Sequence, residues 1–166
     1  YLGVGIIQEG IELRESGISS PILILGGVYF HEIKDLIKHN LSTSLSTSAL
    51  AHSISKQAGR AGKKVGVHIK IDTGMGRLGV KPEDLPCLLD SVTNDKNLRI
   101  EGIFTHLACA DEEDPEITRS QISRFSSVLG ERHTINFSKQ IDTNGPLLIH
   151  SANTAGLLRF PESRFN

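Results

Sequence analysis

Short β-branched or apolar runs alternate with longer amphipathic ones along this chain, and no other feature constrains its fold as strongly. Runs near 2–6, 22–26, 41–45, 65–72, 99–106 and 147–152 read as strands, and stretches near 8–16, 30–39, 48–61, 82–93 and 115–130 read as helices. Strand, helix and strand in repetition make successive strands parallel, joined by crossover helices. Two α/β architectures satisfy that pattern: an open doubly wound sheet and a closed (β/α)8 barrel. Ser48 reads as a helix N-cap, and Pro82 with Glu83 and Asp84, then Pro115 with Glu116, open the next two helices. Gly17 and Gly62 fall at expected helix ends, and Gly26-Gly27 closes the second strand. The repetitive LSTSLSTSAL at 41–50 suits a strand running into a capped helix by its Leu spacing, with a disordered linker as the other reading. No domain boundary is visible. Six strands are two short of an eight-stranded barrel, and a wall of six leaves two edges to be paired, so the chain reads as an excerpt of a larger domain.

Composition narrows the function classes. With 166 residues, a formal net charge of -1, 38% hydrophobic and 22% charged residues, the chain is an ordinary globular sequence. That near-neutral balance argues against a nucleic-acid surface or an anionic-membrane patch, both of which need clustered Lys and Arg. The longest apolar runs, such as Pro21-Ile22-Leu23-Ile24-Leu25, fall far short of the roughly 20 residues that span a bilayer. The N-terminus starts Tyr1-Leu2-Gly3 with no initiating Met, basic leader or small-residue cleavage site, and so is no recognisable signal peptide. Cys87 and Cys109 have neither disulfide-framework nor metal-ligand spacing and read as ordinary thiols of a reducing, cytoplasmic compartment. The seven histidines are scattered, with no i, i+4 pair flanking a Glu, and metal binding is not expected.

The chemistry concentrates at strand ends. In HIKIDTGMGRLGV, residues 68–80, Val67, Ile69 and Ile71 point one way and His68, Lys70 and Asp72 the other, because side chains alternate along a strand. In a barrel the second set faces inward near the C-terminal mouth, where active sites sit. The glycines that follow permit positive φ and close approach of a ligand to backbone, and Arg77 offers a planar fork of donors that stays charged. A plain strand-to-helix turn with a surface arginine accounts for these residues equally well. His106 ends the next strand, where it is either a ligand-facing group or a satisfied core histidine. His150-Ser151-Ala152-Asn153-Thr154-Ala155-Gly156 ends the last, as an anion site of backbone N–H groups and hydroxyls or as a helix N-cap box.

Taken together, DTGMGRLGV at 72–80, GIFTHLACADEED at 102–114 and HSANTAGLLRFPESRFN at 150–166 resemble the N-terminal barrel domain of the alanine racemase family, and GIELRESGISSPILILGG extends the likeness toward the N-terminus. The resemblance covers essentially the whole chain. It implies an incomplete (β/α)8 TIM-type barrel of about six of eight parallel strands, with residues 1–166 as the central segment, strands 2 to 7, and the C-terminal β domain outside it. It implies a cytoplasmic homodimer that uses pyridoxal 5'-phosphate to interconvert L- and D-alanine by two-base Cα proton transfer, supplying D-alanine for peptidoglycan.

By motif match, Arg77 hydrogen-bonds the cofactor's phenolic oxygen and lies near the substrate carboxylate. Lys70 is the lysine that many members carry as a carbamate, an anion in place of a cation, which converts a like-charge clash with Arg77 into a bidentate contact. His106 lies beside the cofactor ring with Asn153 behind it, and Thr154, where the family often has Ser, places its hydroxyl on the phosphate. The family's cofactor-linking lysine, its tyrosine base and the arginine facing the ring nitrogen match no position in 1–166, and no catalytic acid or base is expected in this segment. Since proton transfer needs an acid and a base on opposite faces, the isolated chain is expected to be inactive. Two other readings stand beside this one: a racemase for serine or another small amino acid, and a non-catalytic barrel protein that at most binds the cofactor.

Overall fold

Strand order decides between the two architectures. A computed structural model of the protein describes residues 1–130 and 147–166. Its strands are β1 (Leu2–Val4), β2 (Ile22–Ile24), β3 (Ser42–Leu45), β4 (Val65–Lys70), β5 (Leu98–Phe104) and β6 (Leu148–His150). They form one sheet in the order β1-β2-β3-β4-β5-β6, every neighbouring pair parallel. A doubly wound sheet reverses its order at a switch point, whereas here each strand lies beside its sequence neighbour throughout. The sheet is half of a barrel with helices between successive strands.

The helices are α1 (Ile7–Glu15), α2 (Ile33–Lys38), α3 (Ser48–Arg60), α4 (Leu85–Thr93), α5 (Glu116–Gly130) and α6 (Thr154–Arg159). In α3 the buried residues are Ala51, Ile54, Ser55 and Ala58, and in α4 Leu85, Leu88, Leu89 and Val92, the i, i+3, i+4, i+7 stripe that turns one helix face to a sheet. These stripes join Val65, Val67, Ile69 and Ile71 in the main apolar core, between the sheet and its helices. The 41–50 segment is strand followed by helix, so the linker reading falls. Its cap is Thr47, not Ser48: the Thr47 hydroxyl accepts the Leu50 N–H at 3.3 Å.

Most elements are shorter than the hydrophobic runs that announce them. The run 65–72 is strand only to Lys70, with Ile71 in an isolated bridge to Val80, and 99–106 ends as a strand at Phe104. Beyond those points one further bond continues each ladder, from the Ile71 N–H to the Phe104 carbonyl at 2.8 Å and from the Thr105 N–H to the His150 carbonyl at 3.2 Å, before the chain turns into the loops of the mouth. The runs 30–39 and 82–93 each open with a 3-10 turn, Phe30–Glu32 and Pro82–Asp84, before the α-helix begins. Gly17 and Gly62 end α1 and α3 at positive φ as expected.

One irregularity shapes the interior. The β4–β5 register runs Val67↔Ile100 and then His68↔Gly102, leaving Glu101 as the extra residue of a β-bulge. The bulge lets Arg99, Glu101, Gly102 and Phe104 all face inward. Gly66 leaves room for the Glu101 carboxylate, and Gly102 for the His68 ring; a Cβ at either position would collide with them.

Candidate functional site

Because the strands are parallel, the segments after β4, β5 and β6 emerge at one end of the half-barrel, and they carry Arg77, His106 and Thr154. Lys70, the last residue of β4, is 4% exposed; its ammonium donates to the Leu25 carbonyl at 3.4 Å and lies 5.2 Å from the centre of the Phe104 ring. Burial pulls the Lys70 pKa below the usual lysine range, the Arg77 guanidinium adds to this, and Asp72 opposes it.

Asp72 itself is not an inward strand residue. Its carboxylate accepts the Gly74 and Gly76 N–H groups at 2.9 and 3.0 Å. Burial alone would raise its pKa, but those N–H groups, that of Met75, and Lys70 outweigh burial and hold it low. The base of the loop is closed where Val80 N–H donates to Lys70 and Asp72 N–H to Val80, at 2.8 and 2.9 Å. Gly79, at φ 142°, makes that closure possible, since a Cβ would stand 2.6 Å from the Asp72 nitrogen. Gly76, at φ 68°, has nothing within 4 Å of its Cβ direction. The bareness of DTGMGRLGV therefore serves two ends: closure of the loop at Gly79 and open backbone at Gly76. Arg77 is exposed at the tip.

His106 follows β5 and is half-buried; burial lowers its pKa, and Lys70 and then Arg77 lower it further, so the imidazole is neutral at neutral pH. Asn153 realises the N-cap reading: its side-chain oxygen accepts Gly156 N–H at 2.8 Å. Its amide N–H donates to the Leu107 carbonyl at 3.2 Å, tying the start of α6 to the residue after His106. Thr154 is the first residue of α6 and is exposed. Lys70, Arg77 and His106 thus share one electrostatic neighbourhood, with Asn153 bonded into the His106 segment. Among the described residues neither Lys70 nor Arg77 is ion-paired, which leaves two cations and a neutral imidazole at an open mouth, a donor set suited to an anion.

Several contributors carry no local signal in the sequence. Thr105 donates its hydroxyl to the Ile71 carbonyl at 2.9 Å, so Thr73, 2.7 Å from Thr105, donates to it; the two loops are thereby joined. Below the mouth, Nδ1 of His68 and Nε2 of His150 are 3.2 Å apart, His150 stacks on Phe104 with ring centres 4.6 Å apart, and Tyr1 meets the His68 ring edge-on. Burial pushes both histidines down to about 4, with His150 contributing further to His68. Deeper still, Glu101 accepts from Tyr1, Ser42 and Arg99, which outweigh burial and keep it ionised, while burial and then Glu101 push the Tyr1 phenol up to about 12.

With this geometry, a family model described as alanine racemase, N-terminal domain, matches residues 1–166. The chain belongs to the alanine racemase family. It is 35% identical over 166 residues to the alanine racemase of Symbiobacterium thermophilum, an alignment covering 100% of this chain and 42% of that protein. The solved alanine racemase of Clostridium difficile in complex with cycloserine matches with a TM-score of 0.90 at 32% identity, over 100% of this chain and 44% of that one. A histidine racemase from Leuconostoc mesenteroides matches with a TM-score of 0.78 at 25% identity, over 93% of this chain and 39% of that one. The chain spans less than half the length of these racemases. Among the described residues no group of His, Cys, Asp or Glu side chains could hold a metal ion, and no helix is long and apolar enough to cross a membrane.

Proposed function

We propose that the protein containing this chain is a cytoplasmic, homodimeric alanine racemase dependent on pyridoxal 5'-phosphate, and that residues 1–166 form strands 2 to 7 of its barrel domain. One observation carries the reading: Lys70 and Arg77, two cations without ion-pair partners among the described residues, share the C-terminal mouth with the neutral His106. The residues fit a flat, phosphorylated ring. Gly76 exposes backbone that a ligand can approach, His106 offers an uncharged aromatic face, and Thr154 is exposed on the neighbouring strand's loop.

When bound, pyridoxal phosphate supplies the electron sink that makes an amino acid's Cα proton removable. In this reading the chain's own residues bind and orient. Arg77 donates to the cofactor's phenolic oxygen and holds the substrate carboxylate, a geometry its planar fork suits better than a lysine would. Thr154 donates to the phosphate. Asn153, through the Leu107 carbonyl, holds the His106 segment against the ring. A lowered pKa leaves more of Lys70 as the free amine, which adds to carbon dioxide with release of a proton. The resulting carbamate is an anion beside Arg77 and replaces a repulsion with a charge-assisted hydrogen bond. The acid and base that move the Cα proton come from outside residues 1–166.

The likeness to a histidine racemase supports keeping a serine or other small-amino-acid racemase as the second reading. The test is a panel of L-amino acids offered to the full-length protein with pyridoxal phosphate. Alanine racemised faster than any other, with inhibition by cycloserine, is expected. Faster turnover of serine favours the second reading, and cofactor binding without turnover of any amino acid leaves only a binding barrel.

A further inference from the structure

Gln121 lies on the inner face of α5, 2% exposed, beside the apolar Ile122 and Phe125. An amide buried there without partners would be destabilising, and an aliphatic side chain would fill the space without that cost. What the amide does is make three bonds to two different loops. Its oxygen accepts the Ala108 N–H at 2.9 Å, and its nitrogen donates to the His106 carbonyl at 3.2 Å, so it clamps the backbone on both sides of Leu107. The same nitrogen donates to the Thr73 hydroxyl at 3.4 Å. Proton directions along this path are consistent from end to end: Gln121 to Thr73, Thr73 to Thr105, Thr105 to the Ile71 carbonyl. One turn further along α5, Arg124 donates to the Thr73 carbonyl at 3.2 Å, so the same helix face grips the 72–80 loop twice.

Resting on the racemase reading, we propose that Gln121 is a positioning residue: it sets the His106 turn and the Arg77 loop at the spacing that the cofactor ring and substrate carboxylate require. His106 and Arg77 sit on loops after different strands, and mouth loops are the mobile part of such a barrel. Gln121 refers both to one helix of the packed outer layer. Groups that orient a binding side chain from behind typically change affinity or activity by about 10- to 100-fold when removed.

The test uses the full-length protein with Gln121→Met, which keeps the length of the side chain and deletes the amide. Cofactor affinity is read by titrating the apoprotein and following the cofactor's visible absorption, kcat and KM are measured separately, and thermal melts show where each variant is fully folded. At such a temperature, Gln121→Met is expected to weaken cofactor binding by about tenfold or more and to lower kcat by a similar factor. Hydrogen exchange at the Ala108 amide of the apoprotein is expected to accelerate by about tenfold, with global melting little changed. Thr73→Val removes the Gln121 link to the Arg77 loop together with the Thr73–Thr105 bond and is expected to raise substrate KM by about fivefold; it carries the test if Gln121→Met does not fold, with Thr105→Val, which removes the second bond alone, expected to raise KM less. Cofactor affinity, kcat and KM all within about twofold of wild type in the folded variants, or a lowered melting temperature with no other change, would overturn the proposal. If the wild type itself neither binds the cofactor nor racemises, the racemase reading fails, while Ala108 exchange still reports whether Gln121 clamps the loops.

Discussion

Arg77 stands at the tip of a loop whose base is closed by backbone bonds, so its side chain can change without loss of the loop. Arg77→Lys keeps the charge and loses the planar fork. It is expected to lower kcat/KM of the full-length protein by about 100-fold with an unchanged melting temperature; steady-state kinetics and a thermal melt check both. Lys70 is tested by incubating the protein with isotope-labelled bicarbonate: a carbamate carbon resonance is expected, absent in Lys70→Met and fading as pH falls and the amine protonates. His68 and His150 set a different pH dependence. Their folded pKa values of about 4 lie below the ordinary histidine value of 6.5, so the unfolded chain takes up protons first as pH falls. The stability of the neutral pair is full above pH 6.5 and is lost as pH falls toward about 4, on the order of 3 kcal/mol per group. Melting temperature measured across that window is expected to drop steeply, and less steeply in His150→Gln. At this scale Lys70, Arg77 and His106 are legible in the sequence because each lies at or just beyond the end of an apolar run. Glu101 and Gln121 are not, because their partners Ser42 and Thr73 are 59 and 48 residues away and no local period records them.

The elements follow hydrophobic periodicity closely in kind and order and less closely in extent. Apolar side chains continue past the regular strand, as at Ile71, which stays buried and bonded to the Phe104 carbonyl at 2.8 Å although the chain is already turning into the 72–80 loop. The helix start at Thr47 rather than Ser48 shows the same limit: two adjacent hydroxyl residues both fit a cap, and only backbone geometry chooses. The bulge at Glu101 has no periodic signature, yet it lets β5 turn Glu101 and Phe104 into the interior together. Gly102 is the residue that makes this possible beside His68. Gly102→Ala places a methyl group against the His68 ring and 2.8 Å from the Leu148 carbonyl, and overpacking of this kind is expected to destabilise by about 3 kcal/mol. Denaturant unfolding of the full-length variant measures it, and a loss well under about 1 kcal/mol would mean that β5 shifts freely.

At the scale of the whole molecule, the described residues form six parallel strands in sequential order, an arc with a helical outer layer and a polar interior. From depth to mouth that interior runs from Glu101 with Tyr1, through the His68–His150 pair, to Lys70 and Arg77. The chain spans 42% of the length of its Symbiobacterium relative. With the proton-moving groups assigned outside residues 1–166, the 166-residue chain expressed alone is expected to form no D-alanine from L-alanine, and the full-length protein to form it readily; a chiral assay of both separates the outcomes. The loops after β4, β5 and β6 are proposed to build one anion-binding mouth. A crystal structure of the full-length protein with pyridoxal phosphate tests it most directly. The Arg77 guanidinium is expected on the cofactor's phenolic oxygen and the Thr154 hydroxyl on its phosphate, with His106 against the ring. A cofactor bound elsewhere, or one touched by only one of Arg77 and Thr154, would contradict it.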